Sequence, residues 1–311
     1  MRSRRMKIGA ITNHISEDLE YGLKVLRELN LPYAEFCGAW NLSAGCHDEV
    51  QTEEIVRLVK ASGCPVSAVS PRSFYMLPVL TTDVADAEYQ QDLAAFRKSI
   101  ALAKRLGTRL VRAMPFQRPP VIFGAHGAER FLANQNRAWP SLLRLYEEPL
   151  RIAEENDIVI AVETGFDTML SSCSLAARMV EEMGSKHLRI MLDTGNNLYS
   201  TETPYPEAYE KIRDYLVHIQ LKDARVDVKN GTVEFCALGE GDLAEYLVPL
   251  ADALRADNFD GVVSLENVYR PVGDTLEESF RRSVGRFIEV FGSAPESTGH
   301  KETRKSVATS E

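Results

Sequence analysis

Three things are scarce in this chain of 311 residues. The first is paired cysteine. Cys37, Cys46, Cys64, Cys173 and Cys236 are scattered and form no Cys-x-x-Cys pair. That argues against a zinc-thiolate centre and against a disulfide framework, and it fits reduced thiols in a cytoplasmic protein. The second is long apolar runs: none approaches the ~18 residues that a membrane span needs. The third is positive charge. The net charge is −9, and the only basic cluster is Met1-Arg2-Ser3-Arg4-Arg5-Met6-Lys7. A solvated tail accounts for that cluster, because the apolar run after it is too short for a signal peptide. A nucleic-acid partner and a membrane partner are therefore not expected. Nor is there a glycine-rich dinucleotide fingerprint after the first strand, where Gly9-Ala10-Ile11-Thr12 stands.

What is present is ordinary globular material, 44% hydrophobic and 26% charged, in a strand-helix alternation that runs from end to end. Strands are expected at Met6–Thr12, Pro32–Phe36, Pro65–Val69, Thr108–Ala113, Ile158–Glu163, Leu188–Asp193, Tyr215–Leu221 and Gly261–Glu266. Helices are expected at Glu17–Leu29, His47–Ser62, Asp86–Leu106, from Phe131 or Trp139 to Asn156, Ser174–Met183, Pro206–Asp214, Leu243–Ala256 and Thr275–Phe291. This is the count of a closed (β/α)8 TIM barrel, a single α/β domain over residues 1–292. Residues 293–311 are polar and aperiodic and read as a disordered tail. Asn230-Gly231, flanked by alternating residues, predicts a hairpin after the seventh strand.

Four polar residues each follow a short apolar run in the second half: Glu163, Asp193, His218 and Glu266. They are 30, 25 and 48 residues apart, so each falls on the next strand of the barrel. The C-terminal strand ends are where such barrels keep their active sites. Taken singly, each residue has a plain structural reading, as a helix cap or an ion-pair partner. Together, three carboxylates at an apolar barrel mouth repel one another unless a cation joins them. Three oxygen ligands and one imidazole, with no thiolate, favour one Mn²⁺, with Mg²⁺, Co²⁺ and Zn²⁺ also compatible. Such an ion would polarise a carbonyl and acidify the adjacent C–H, and Glu163 and Glu266 would serve as base and acid.

The segments Val162-Glu163-Thr164, Leu192-Asp193-Thr194-Gly195-Asn196, His218-Ile219-Gln220-Leu221-Lys222-Asp223, Leu238-Gly239-Glu240-Gly241-Asp242 and Leu265-Glu266 resemble the sugar phosphate isomerase/epimerase superfamily of xylose isomerase-like barrels. The resemblance spans Met6 to Phe291. It implies that residues matching Glu163 and Glu266 bind the metal and move protons, and that those matching Asp193 and His218 complete the metal site. Asn196 stands where many members carry histidine, and Asp227-Val228-Lys229 lacks a further Asp-x-His. A trinuclear nuclease site is therefore not implied. Met169 replaces a glutamate that touches substrate in ketose 3-epimerases, which leaves the substrate open.

Isomerisation or epimerisation of a small keto-sugar, polyol-derived ketone or hydroxy-keto acid through a metal-bound enediolate is the resulting expectation. A lyase or dehydratase is the alternative, and a non-catalytic sugar-binding barrel a further one. Asn196, Lys222, Arg225, Arg112 and Glu35 are candidates for substrate contact. Lys222 alternatively pairs with Asp223, and Glu35 with Arg112. Phe74, Tyr75, Phe116 and Trp139 form a lid, or else pack internally or make a subunit contact; Asn13 and His14 lie after the first strand and could cover the site. Asp242 is expected to cap a helix. Barrels of this kind often dimerise, so a homo-oligomer is compatible, although no segment shows it.

Overall fold

In a computed structural model that describes residues 5–119 and 127–292, eight parallel strands close into a barrel. They are β1 (Lys7–Ile11), β2 (Tyr33–Phe36), β3 (Val66–Val69), β4 (Leu110–Ala113), β5 (Val159–Glu163), β6 (Leu188–Asp193), β7 (Leu216–Leu221) and β8 (Val262–Leu265). Each pairs with its sequence neighbour, and β8 returns to β1. The tail expected over 293–311 lies outside the described residues.

The helices start and stop where local chemistry dictates. α1 (Leu19–Glu28) opens on Asp18, whose side chain accepts the Tyr21 N–H. α2 (Glu49–Ser62) carries a capping box between Asp48 and Gln51 and ends at Gly63 in the left-handed region, φ 70°. α3 (Ala87–Leu106) ends the same way at Gly107. α4 (Gly127–Glu155) is longer than either expected start allows. Pro140 and Pro149 lie inside it, so Pro140 does not mark its first turn. α5 (Cys173–Met183) is capped by Ser172. α6 (Thr194–Tyr199) is a short helix absent from the sequence reading, capped by Asp193 itself. The expected helix over Pro206–Asp214 is only α7 (Tyr209–Ile212), preceded by an irregular turn. α8 (Leu247–Ala256) starts later than Asp242, which instead accepts the Val226 N–H and caps no helix. α9 (Leu276–Phe287) opens on a capping box between Thr275 and Glu278.

Two cores result. The larger lies between the sheet and its helices and includes Leu26, Phe96, Leu145, Val180, Leu250 and Phe280. The smaller is inside the barrel, where Ala68, Ala161 and Met191 pack together. Because side chains alternate along a strand, Glu163 follows Ala161 on the inward face and Asp193 follows Met191. On β5 and β6 the inward face thus turns from apolar to charged within two residues.

Three of the four loop aromatics, Phe74, Phe116 and Trp139, belong to the core. Phe74 and Phe116 stack at 5.3 Å and join Tyr89 and Tyr146, all fully buried, so they form no lid. Both adopt left-handed backbone angles, φ 70° and 53°, to turn inward. Trp139 packs under Arg178 and donates to Glu182. The expected hairpin is present, pairing Asp223–Asp227 with Thr232–Cys236 around Gly231 at φ 65°.

Candidate active site at the barrel mouth

A cavity of about 690 Å³ opens at the C-terminal ends of the strands. Arg112, Glu163, Asn196, Lys222 and Glu266 line it, with Asn13, His14, Tyr75, Phe166, Tyr199 and Phe235 among the surrounding residues. Glu163 and Asp193 are the last residues of β5 and β6, and Lys222 and Glu266 directly follow β7 and β8. Parallel strands all end on one face, so these side chains meet without any long-range loop.

The contacts form a continuous chain of two cations, three acids and one bridging amide. Arg112 Nη1 donates to Glu163 Oε2 at 2.6 Å and is itself fixed by bonds to the Ser70 and Pro71 carbonyls. Asn196 Nδ2 bridges Glu163 Oε1 and Asp193 Oδ2, each at 3.0 Å, while its backbone N–H donates to Asp193 Oδ1. Lys222 Nζ donates to Asp193 Oδ2 at 2.5 Å and stands 3.6 Å from Glu266 Oε1. The second oxygen of Glu266 is buried and has no partner.

Lys222 does not pair with Asp223. That carboxylate instead accepts the backbone N–H groups of Gly239, Gly241 and Leu243, fastening the Gly239–Asp242 turn against the hairpin. Gly195 gives the Lys222 stem its path, because a Cβ there would fall 2.4 Å from Lys222 Cγ and 2.8 Å from Cε. Lys222 Nζ also lies 5.8 Å from the centre of the Tyr199 ring.

Three expected members are not at this mouth. β7 continues through Leu221, so His218 stands mid-strand, in register with Met191 on β6 and Val262 on β8. It is fully buried, and its Nε2 lies 3.0 Å from Glu35 Oε2. Glu35 is likewise below the mouth. Its Oε1 accepts from Ser70 Oγ at 2.6 Å and Gln220 Nε2 at 2.7 Å, and it does not pair with Arg112. Arg225 sits exposed on the hairpin, bonded to the Glu240 carbonyl and 3.7 Å from Glu234, outside the cavity lining. The residue that the sequence reading missed is Gln220. It shares the inward face of β7 with His218 and Lys222 and is in register with Asp193.

Burial and neighbouring charge act differently on the two levels. Burial alone would raise the Glu35 carboxyl, but the His218 charge and hydrogen bond outweigh it and hold the group down at about 2. Burial opposes the charge on Lys222, yet Asp193, Glu266 and Glu163 keep its ammonium protonated beyond the usual lysine range. Burial likewise pushes Glu266 up, and Lys222, His14 and Arg112 together more than offset this, so it titrates below the usual carboxylate range. Burial lowers His14, favouring the neutral imidazole. Its Nδ1 has no partner.

Among the described residues, no three His, Cys, Asp or Glu side chains stand together as a ready-made metal site. The donors are nonetheless of a kind that suits a hard cation. Glu266 Oε2 and Gln220 Oε1 are buried acceptors without a partner, on strands that are neighbours in the barrel. With Asp193 and Glu163 they make an oxygen-only set, as magnesium and manganese prefer. The group that stands in the way is the Lys222 ammonium between Asp193 and Glu266.

A closed parallel barrel with charged side chains gathered at its C-terminal mouth defines the class of (β/α)8 barrels. Within that class, the chain belongs to the xylose isomerase-like TIM barrel family, whose profile matches residues 23–289. A D-psicose 3-epimerase of Enterocloster bolteae is 30% identical over 130 residues, which span 40% of this chain and 38% of that protein. Among solved structures, the 3-keto-D-glucoside 4-epimerase YcjR from E. coli superposes with a TM-score of 0.66 at 18% identity, covering 92% of this chain and 100% of that one. A xylose isomerase-like protein from Mycobacterium smegmatis in complex with magnesium gives 0.63 at 16%, covering 94% and 99%. The probable 3-DHS dehydratase AsbF from Bacillus anthracis gives 0.66 at 15%, covering 89% and 98%. At these identities the structural likeness concerns the fold.

Proposed function

We propose that this protein is an isomerase or epimerase of a small keto-sugar, polyol-derived ketone or hydroxy-keto acid. One observation carries the reading. Of the six oxygens on Glu163, Asp193 and Glu266, only Glu266 Oε2 has no donor or cation among the described residues, and the Glu266 side chain lines the cavity. A carboxylate oxygen left free beside fixed cations is placed to take a proton from carbon. Glu163, oriented by Arg112 and Asn196 three strands away, is placed to return one from across the cavity. Asn196 keeps Glu163 and Asp193 at a fixed separation. Arg112 and Lys222 supply the positive charge that an enediolate intermediate needs. Tyr199, Phe166 and Phe235 form an aromatic wall that limits water at the mouth.

A divalent ion belongs to this reading. Glu163, Asp193 and Glu266 would hold it, with the Gln220 amide oxygen in the place expected of His218. Magnesium or manganese suits that set, and when bound it would supply Lewis-acid polarisation of a substrate carbonyl. The similarity to a D-psicose 3-epimerase supports that reaction class for this chain.

Elimination is the second reading, favoured by His14. Its unpartnered imidazole lines the cavity with Glu266 and would serve a departing hydroxyl. The test is incubation in D2O with ketohexoses and hydroxy-keto acids, with and without added Mn²⁺, followed by NMR and mass spectrometry. Deuterium at the carbon beside the carbonyl is expected. Loss of water assigns the lyase. Neither outcome across the panel leaves a binding-only barrel and overturns the enzyme reading.

A further inference from the structure

The position of Lys222 reaches beyond substrate contact. Its ammonium lies between two carboxylates that a divalent ion would need, at 2.5 Å from Asp193 Oδ2 and 3.6 Å from Glu266 Oε1. Both acids are buried, and unneutralised they would repel each other strongly. A bare glycine at 195 leaves the channel in which the lysine stem runs. The next residue, Asp223, is held elsewhere by three backbone N–H groups, so Lys222 has no competing partner beside it in sequence. The Tyr199 ring, 5.8 Å from Nζ, provides a second resting place for the cation toward the cavity.

From this geometry we infer that Lys222 is a tethered cation that exchanges with the divalent ion: it bridges Asp193 and Glu266 in the empty site and yields them when an ion binds. The inference rests on the metal reading given above. Its physical content is a population effect. If the lysine-held form dominates the empty protein, the measured affinity for the ion falls by the fraction of molecules in which the carboxylates are free. Exchange also keeps the carboxylates neutralised at all times, so the mouth does not splay apart between loadings. The freed ammonium then faces the cavity from the Tyr199 side.

Titration of Mn²⁺ alone into metal-stripped protein, by calorimetry, tests this on the wild type and on Lys222→Met. The variant is expected to bind Mn²⁺ at least about tenfold more tightly, as follows if no more than a tenth of wild-type molecules have free carboxylates. The same variant is expected to melt lower than the wild type without metal and to gain more in Tm from Mn²⁺. Equal or weaker binding by the variant overturns the exchange while leaving the metal reading intact. Absence of binding by both proteins overturns both. Should Lys222→Met fail to fold, a crystal structure of the wild type soaked in Mn²⁺ decides the matter. Lys222 Nζ beyond hydrogen-bond distance of Asp193 supports exchange, and a retained Lys222–Asp193 bond beside a bound ion refutes it.

Discussion

The barrel interior holds two polar clusters one above the other, built from the same kinds of residue and organised in opposite ways. The lower one joins Glu35, His218, Gln220 and Ser70 at the centre of the lumen. Both Glu35 oxygens are occupied, His218 Nε2 stands 3.0 Å from one of them, and none of the four lines the cavity. The upper one joins Arg112, Glu163, Asp193, Lys222 and Glu266. It has more acids than cations, keeps a free carboxylate oxygen, and opens to about 690 Å³ of cavity. Neither cluster is fully satisfied: His218 Nδ1 and Gln220 Oε1 in the lower one are buried without a partner, as Glu266 Oε2 is in the upper one. What differs is access, because only the upper cluster faces the cavity. Access to the cavity, and not residue type or completeness of bonding, separates scaffold from site in this molecule.

The strongest way to test that division is to remove the free oxygen. Glu266→Gln keeps the shape of the mouth but loses the proton acceptor. Deuterium exchange into substrate is expected to fall by about 10²–10⁴-fold, with substrate binding changed far less. A variant that exchanges at the wild-type rate removes Glu266 from the chemistry and with it the claim that the upper cluster is the active one.

The lower cluster predicts stability loss in place of rate loss. Glu35→Gln breaks a buried pair and leaves His218 without its counter-charge, at a cost of about 3–5 kcal/mol in denaturant unfolding. Acid titration sharpens this. Because Glu35 titrates at about 2 in the folded chain against 4.5 ordinarily, its contribution is complete above pH 4.5 and is lost as pH falls toward 2. That loss amounts to roughly 3 kcal/mol for a depression of this size. The difference between wild-type and Glu35→Gln unfolding energies should therefore shrink across that window. A constant difference would show that Glu35 is not ionised by its partners.

Much of this division lies beyond what a sequence can display. The barrel itself was legible, because buried parallel strands are short apolar runs and each run ended at the residue that ends the strand in space: Glu163, Asp193, and Leu265 before Glu266. On β7 the same logic stopped too early. His218, Gln220 and Lys222 share one face by the period of two, and only the register with β6 decides which of them stands beside Asp193. Register is a property of closure and strand tilt, fixed by the whole ring, and it left no local mark on the segment. Asp193 showed a related ambiguity. Its structural reading as a helix cap and its functional reading both hold, since it caps α6 with one oxygen and meets Lys222 with the other. The aromatic loops misled for a different reason. Phe74 and Phe116 reach the core only through left-handed backbone angles, which bulky residues seldom adopt.

The smallest effect comes from the residue that sequence proximity placed at the site and the fold removed from it. Arg225 follows Lys222 by three positions, but the chain has already left the barrel for the hairpin there. Its guanidinium is mostly exposed, with Glu234 as a solvent-screened partner. Arg225→Ala is expected to change unfolding energy by no more than about 0.5 kcal/mol and to leave both Mn²⁺ affinity and deuterium exchange as in the wild type. A loss of exchange in this variant would mean that the hairpin folds over the mouth when substrate is bound. The functional mouth, which already takes in Phe235 of the hairpin beside Tyr199, would then extend to Arg225.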